Sequence, residues 1–166
     1  MEIEILIIGE LNTNCYILKK DRDIIIIDPA ANSEVIINKC INYNVVGILV
    51  THHHFDHIGA LKEIEKNYDL IHNSFTIPNF NFTVLKTPGH TMDSISFYFP
   101  EEKILFSGDF IFKGTIGRCD FPESNIKDMQ DSLNKILKYP DDVIVYPGHG
   151  PKTTLGNEKQ FFNFYF

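Results

Sequence analysis

No run of Lys or Arg breaks this 166-residue chain, whose 15 basic and 22 acidic side chains leave a formal net charge of −7. A nucleic-acid partner asks for a basic face, so none is expected, and an anionic ligand must find a local cationic spot instead of the field of the whole protein. Cysteine is scarce. Cys15, Cys40 and Cys119 are odd in number and lack CxxC spacing, which argues against a disulfide framework and makes a reducing cytoplasm the expected compartment. Long apolar runs are missing too: the aliphatic stretch Ile24–Ile27 is far short of the roughly 20 residues that span a bilayer. The opening "MEIEILIIGE" has no basic n-region, so it reads as a strand and not as a signal peptide. Linkers and low-complexity segments are absent.

What is present is ordinary for a folded chain: 43% hydrophobic and 22% charged residues. The length predicts a single domain over 1–166, large enough to bury roughly 70% of its unfolded surface. Apolar runs bounded by turn residues predict strands at 3–8, 15–18, 24–27, 45–50, 75–77, 81–86, 95–99, 103–106 and 142–146. Helical spacing predicts helices from Ser33 to about Ile41, from about Ile58 to Asn67, and from about Ser124 to Leu137. Strands in groups with helices between them suggest an α+β chain of two sheets packed face to face with helices outside.

The unusual stretch is "VTHHHFDHIG", Val50 to Gly59, which holds four of the seven histidines. Side chains alternate along an extended segment, so His52, His54 and Asp56 share a side, and two imidazoles so placed can offer nitrogens to one metal at about 2.0–2.1 Å. His57 has the opposite parity, so the chain turns there into a helix whose positive end disfavours protonating the imidazole. Asp56 and His57 can then face a second metal. Taken alone, Asp56 also reads as the N-cap of that helix. A packed imidazole cluster without a metal would leave buried polar atoms uncompensated, and distant residues add to the pattern. "TPGHT" and "YPGHG" place His90 and His149 directly after apolar strands, and "ILFSGD" does the same for Asp109, each following a glycine that lets the backbone turn tightly. Five histidines and two aspartates suit two metals sharing one carboxylate, in a thiolate-free set that fits zinc, iron or manganese. His53 faces away by parity and His72 follows a short strand; both stand outside this set.

With these motifs the chain resembles the metallo-β-lactamase superfamily over nearly its whole length. The resemblance implies a four-layer αββα sandwich with the site at one edge. It implies that His52, His54, His90 and Asp109 hold a first metal, and that Asp56, His57, Asp109 and His149 hold a second, with Asp109 bridging. Asp56 and Asp109 are the carboxylates it places in catalysis, and Asp28 would support the metal loop from behind, where its plainer reading is a turn residue before Pro29. "THHHFDH", "TPGHTMDSISFY", "FSGDFIFKGTIGRCDFP", "YPGHGPKTTLGNE" and "NCYIL" look like the glyoxalase II group, above all its short bacterial members, which hydrolyse hydroxyacyl-glutathione thioesters with two divalent ions, zinc foremost. The helical domain of full-length relatives is expected to have no counterpart, and the segment between the first motif and His90 is short.

That reading predicts attack of a metal-activated water on a thioester carbonyl, with a thiolate that leaves without a general acid. The loop 110–121 brings Lys113 and Arg118 near the ligands, and Arg118 suits a bidentate contact with a glutathione carboxylate; its plainer role is to brace Asp120. The alternative is a persulfide dioxygenase with one iron on the equivalents of His52, His90 and Asp109, whose "GRxDF" loop resembles Gly117–Phe121. The "PGHGP" ending favours the hydrolases, and amide hydrolysis lacks an evident residue set for the leaving nitrogen. A catalytically silent metal-binding module is the remaining alternative. The C-terminal "FFNFYF" is too apolar for a free tail and is expected to dock on its own core.

Overall fold

Strands β1 (Glu2–Ile8), β2 (Thr13–Lys20), β3 (Asp23–Ile27) and β4 (Asn44–Leu49) form one sheet in that order. The first three run antiparallel through tight turns, and β4 lies parallel to β3 after the crossover helix α1 (Ser33–Cys40). Two further helices follow β4: α2 (Phe55–Ile58) and α3 (Leu61–Tyr68). The second sheet has β5 (Thr83–Lys86), β6 (Ile95–Phe99), β7 (Ile104–Gly108), β10 (Ile144–Pro147) and β11 (Thr153–Thr154) in the order β11-β10-β7-β6-β5, and β8 (Ile111–Phe112) pairs with β9 (Thr115–Ile116) alone. Helices α4 (Ile126–Ile136) and α5 (Leu155–Lys159) and a 3₁₀ turn at Phe162–Phe164 complete the chain. This computed structural model describes residues 1–165. Its contacts divide the chain into two compact units, Met1–Asn81 and Phe82–Phe166.

In the first unit the period-2 pattern of the strands meets the 3.6-period pattern of the helices. Cys15 and Ile17, Ile24 and Ile26, and Ile48 and Val50 point to one face of the sheet, against Ile36 and Cys40 of α1 and Leu61 and Ile64 of α3. All four residues Ile24–Ile27 are fully buried, as a strand covered on both faces requires. The second unit repeats the scheme, with Leu105, Val143 and Val145 packing against Met129, Leu133 and Ile136, one face of α4 at i, i+4, i+7. Asn125 caps α4 by accepting from the amides of Lys127 and Asp128 at 2.9 and 3.1 Å. Phe162 from the aromatic tail is buried in this core, whereas Phe164 is exposed.

Two expected elements differ. The helix expected over 58–67 is broken at Gly59–Ala60, because the Ala60 amide donates to Pro29 O at 2.9 Å instead of continuing the helix. The strand expected at 75–77 does not form. Asn73 occupies the backbone of Val50 with its side chain, and Ile77 is a single buried plug seated over Gly47. No helix among the described residues is long and apolar enough to cross a membrane.

Candidate metal centre

Each unit places candidate ligands at the C-terminal ends of a parallel strand pair, where an open sheet has side chains and backbone not yet used by the ladder; His90 alone comes from the loop after the antiparallel strand β5. In the first unit the pair is β3–β4, with Asp28 leaving one strand and Thr51–His57 the other; the Asp28 amide donates to Leu49 O at 2.9 Å, fixing their registry. In the second it is β7–β10, with Asp109 and His149 leaving neighbouring strands and Gly148 N donating to Gly108 O at 2.9 Å.

Asp28, 1% exposed, is the organiser of the first set. One carboxylate oxygen accepts from Thr51 N at 2.7 Å; the other accepts from Thr51 Oγ1 at 2.7 Å and from His57 Nδ1 at 2.9 Å. A carboxylate only accepts, so His57 carries its proton on Nδ1 and presents Nε2 as a lone pair. Thr51 has one hydroxyl proton and donates it to Asp28. Its oxygen therefore accepts from His52 Nδ1 at 3.1 Å, which leaves His52 Nε2 as a lone pair too. These are the tautomers a metal requires.

The donor atoms have metal-like spacing. Two ligands about 2.1 Å from one tetrahedral ion stand roughly 3.4 Å apart. His52 Nε2 and His54 Nδ1 are 3.1 Å apart, and Asp56 Oδ2 and His57 Nε2 are 3.5 Å apart. Asp56 is not the N-cap of α2; that position is His54, and the Asp56 carboxylate instead accepts from Thr13 Oγ1 at 3.0 Å.

In the second unit Asp109 Oδ2 lies 3.5 Å from His90 Nε2 and 3.6 Å from His149 Nε2, one oxygen facing two imidazoles. His90 is positioned by backbone. Its Nδ1 donates to Arg118 O at 2.9 Å, again leaving Nε2 to face Asp109. Its loop is fastened to α4 and to the residues leading into it: Ser132 Oγ, midway along the helix, donates to Pro88 O at 2.8 Å, Asn125 N to Gly89 O at 2.8 Å, and Ser124 Oγ to His90 O at 2.7 Å. Gly89 has φ +147°, and a Cβ there would come within 2.6 Å of Met129 Cα, so only glycine admits this approach. A Cβ on Gly117 would lie 1.8 Å from Asp109 O.

The donor set, imidazole and carboxylate with fixed tautomers and no thiolate, fits a divalent metal such as zinc or iron. The two predicted cations stand differently. Arg118 makes a bidentate pair with Asp120 at 2.9 and 2.8 Å and lies 4.4 Å from the Phe121 ring centroid. That hydrogen-bonded pair holds the Asp120 carboxyl below its ordinary range and raises the guanidinium. Lys113 is exposed and lines a surface hollow with Lys152 and Asn157. Cys119 is half-buried, its thiol raised by burial and by Asp120, which makes it a poor nucleophile. Sequence reasoning missed Thr51, Thr13, Ser124 and Ser132, whose hydroxyls give no motif; Thr51 was findable only as the residue between an apolar strand and His52.

This combination of fold and donors defines a family. The profile of the Metallo-beta-lactamase superfamily (Lactamase_B) matches residues 8–72 and 67–149, and the chain belongs to that superfamily of divalent-metal-binding proteins. Within it, the hydroxyacylglutathione hydrolase GloC of Haemophilus influenzae is 32% identical over 96% of this chain and 96% of its own length. Among solved structures, the BLEG-1 B3 metallo-beta-lactamase is similar at a TM-score of 0.89 and 31% identity over 99% of both chains. TTHA1623, solved in a di-iron-bound form, is similar at a TM-score of 0.83 and 32% identity over 93% of this chain and 96% of that one. The expected α+β metallo-β-lactamase fold is thereby shown. The two profile matches meet at 67–72, where the chain passes from α3 into the short segment before β5.

Proposed function

We propose that this metallo-hydrolase is a thioesterase of the glyoxalase II type, cleaving S-(2-hydroxyacyl)glutathione or a related thioester with two divalent ions, zinc foremost. The observation that carries the reading is the kinship with GloC across 96% of both proteins. The ligand assignment is the one the motifs imply: His52, His54, His90 and Asp109 for one ion, Asp56, His57, Asp109 and His149 for the other. When bound, the ions supply a water of lowered pKa and polarise the thioester carbonyl.

The chain's own residues do the rest. Asp28 and Thr51 keep the proton on the far nitrogens of His57 and His52, and Arg118 O does the same for His90. The leaving thiolate, of a thiol with pKa about 8–9, needs no protein acid. A groove of about 620 Å³ lined by Gly9, Glu10, Ala30, Asn32 and Phe55 opens beside Asp56 and accommodates one end of the substrate. Its apolar walls and single outlying carboxylate suit the small acyl group better than the carboxylates of glutathione.

The test is thiol release from S-D-lactoylglutathione by zinc-loaded protein, with His54→Ala as control. Rapid turnover lost in the variant supports the binuclear thioesterase. Absence of turnover overturns it. Nitrocefin hydrolysis would then point to the β-lactamase reading that the likeness to the B3 enzyme favours, and oxygen uptake with glutathione persulfide on iron-loaded protein would point to the dioxygenase.

A further inference from the structure

Two histidines take no part in the donor sets above, and they meet. His53 Nε2 lies 3.2 Å from His72 Nε2, with ring centroids 5.4 Å apart and planes at 66°. On its other side the His72 ring is held by Glu65, whose Oε1 accepts from His72 Nδ1 at 2.7 Å and from the His72 amide at 2.9 Å. We propose that His53 and His72 form a separate, solvent-facing site for a divalent transition metal, with Glu65 orienting His72. The inference goes beyond the hydrolytic reading and does not depend on it.

Because the carboxylate only accepts, His72 carries its proton on Nδ1 and presents the Nε2 lone pair toward His53. Carboxylate behind, imidazole between and metal in front is the arrangement that fixes ligating histidines and raises their basicity. A separation of 3.2 Å fits a proton shared between two nitrogens, and it also lies close to the roughly 3.3 Å between two imidazole ligands of one tetrahedral ion. An ion therefore enters with little movement. The proton on His53 Nε2 passes through solvent to Nδ1, and neither ring changes charge.

The backbone holds His72 in place from the next residue. Asn73, at φ +56°, donates its amide to Ile48 O at 2.8 Å, and its side chain accepts from Val50 N at 2.8 Å and donates to Val50 O at 3.2 Å. Three hydrogen bonds thus tie the His72 segment to the strand end that leads into His53. Exposure of His53, and of the His72 side chain at 27%, leaves room for water to complete the coordination. Two imidazoles select zinc, nickel or copper over magnesium and calcium, which prefer oxygen.

The experiment is equilibrium dialysis of the 166-residue apo-protein against chelator-buffered Zn²⁺, with metal per chain measured at each free concentration. Nitrogen-15 spectra of the imidazoles are recorded in parallel. The wild type is expected to bind one more equivalent at high free zinc than His53→Ala or His72→Ala, with the tighter equivalents unchanged, and that last equivalent is expected to shift the His53 and His72 resonances. Glu65→Gln is expected to weaken it about tenfold. Equal plateaus in wild type and both alanine variants, or a last equivalent that leaves those two resonances in place, would overturn the site. Failure of the hydrolytic reading shows up separately, as a missing turnover with this difference of one equivalent intact.

Discussion

Replacing Asp28 by asparagine changes almost no volume and removes one charge, yet it should disturb two candidate ligands, His57 and His52, at once. The new side-chain amide can keep one acceptor toward Thr51 N, but then it aims an NH₂ group at Thr51 Oγ1 and His57 Nδ1, both of which donate to Asp28 in the native protein. His57 answers by moving its proton to Nε2, the nitrogen that faces Asp56 Oδ2 at 3.5 Å. Binding a metal then requires the reverse tautomer, with two N–H groups facing each other in a site where His57 is fully buried. A buried donor left unmatched costs about 1–3 kcal/mol, and loss of an outer partner of a metal-bound histidine typically lowers affinity about 10–100-fold, or about 1.4–2.7 kcal/mol. We therefore expect zinc affinity, measured by competition with a chromophoric chelator, to fall in that range. Nitrogen-15 spectra of the apo-protein should show the His57 proton moved from Nδ1 to Nε2. Zinc affinity within twofold of wild type, with the proton still on Nδ1, would refute the proton accounting. Thr51→Val should weaken binding through His52 alone, and its effect should not add to that of Asp28→Asn, because both act through one chain of hydrogen bonds.

Gly89→Ala should destabilise the protein by about 3 kcal/mol, combining a disallowed φ with a 2.6 Å approach to Met129 Cα; urea unfolding of the apo-protein measures it. Arg118→Ala should lower turnover and metal retention with little change in KM, since the side chain is engaged by Asp120 and Phe121; a rise in KM alone would instead assign Arg118 to substrate contact. The Arg118–Asp120 pair also sets a pH dependence. The Asp120 carboxyl is lowered from its ordinary 3.8, so its contribution is complete above that value and disappears as pH falls through the lowered one. The stabilities of wild type and Asp120→Asn should therefore converge only in that acidic window. Removing metal with a chelator should abolish thiol release and lower the melting temperature, and zinc at about 100 times its Kd should restore about 2.7 kcal/mol.

Much of this was legible because it is local. Apolar runs such as Ile24–Ile27 and Ile95–Phe99 are strands nearly as read, and α4 follows from the spacing of Met129, Leu133 and Ile136. The misreadings have non-local causes. The break at Ala60 is made by Pro29 O, distant in the chain, and the absent strand at 75–77 by Ile77 fitting over Gly47. Strands β8, β9 and β11 are only two residues long, too short to show a period. Candidate ligands announced themselves through histidine density and repeated Pro-Gly-His turns. What holds them did not, because a threonine hydroxyl, a serine and the carbonyl of Arg118 look like any others in a sequence. Asp28 entered only through the family resemblance.

The carbonyl that holds His90 belongs to the same loop whose side chains face outward as Lys113 and Arg118, and whose Gly117 lies against Asp109 O. That loop cannot drift without loosening a candidate metal donor, so changes of specificity and of metal retention act there on the same atoms. The hollow formed by Glu10, Ala31, Asn32 and Phe55 is under no such double constraint: these residues take no part in the Asp28–Thr51 hydrogen bonds described above, and Phe55 is 71% exposed. Directed evolution toward a new specificity has its open route through that hairpin tip and helix edge.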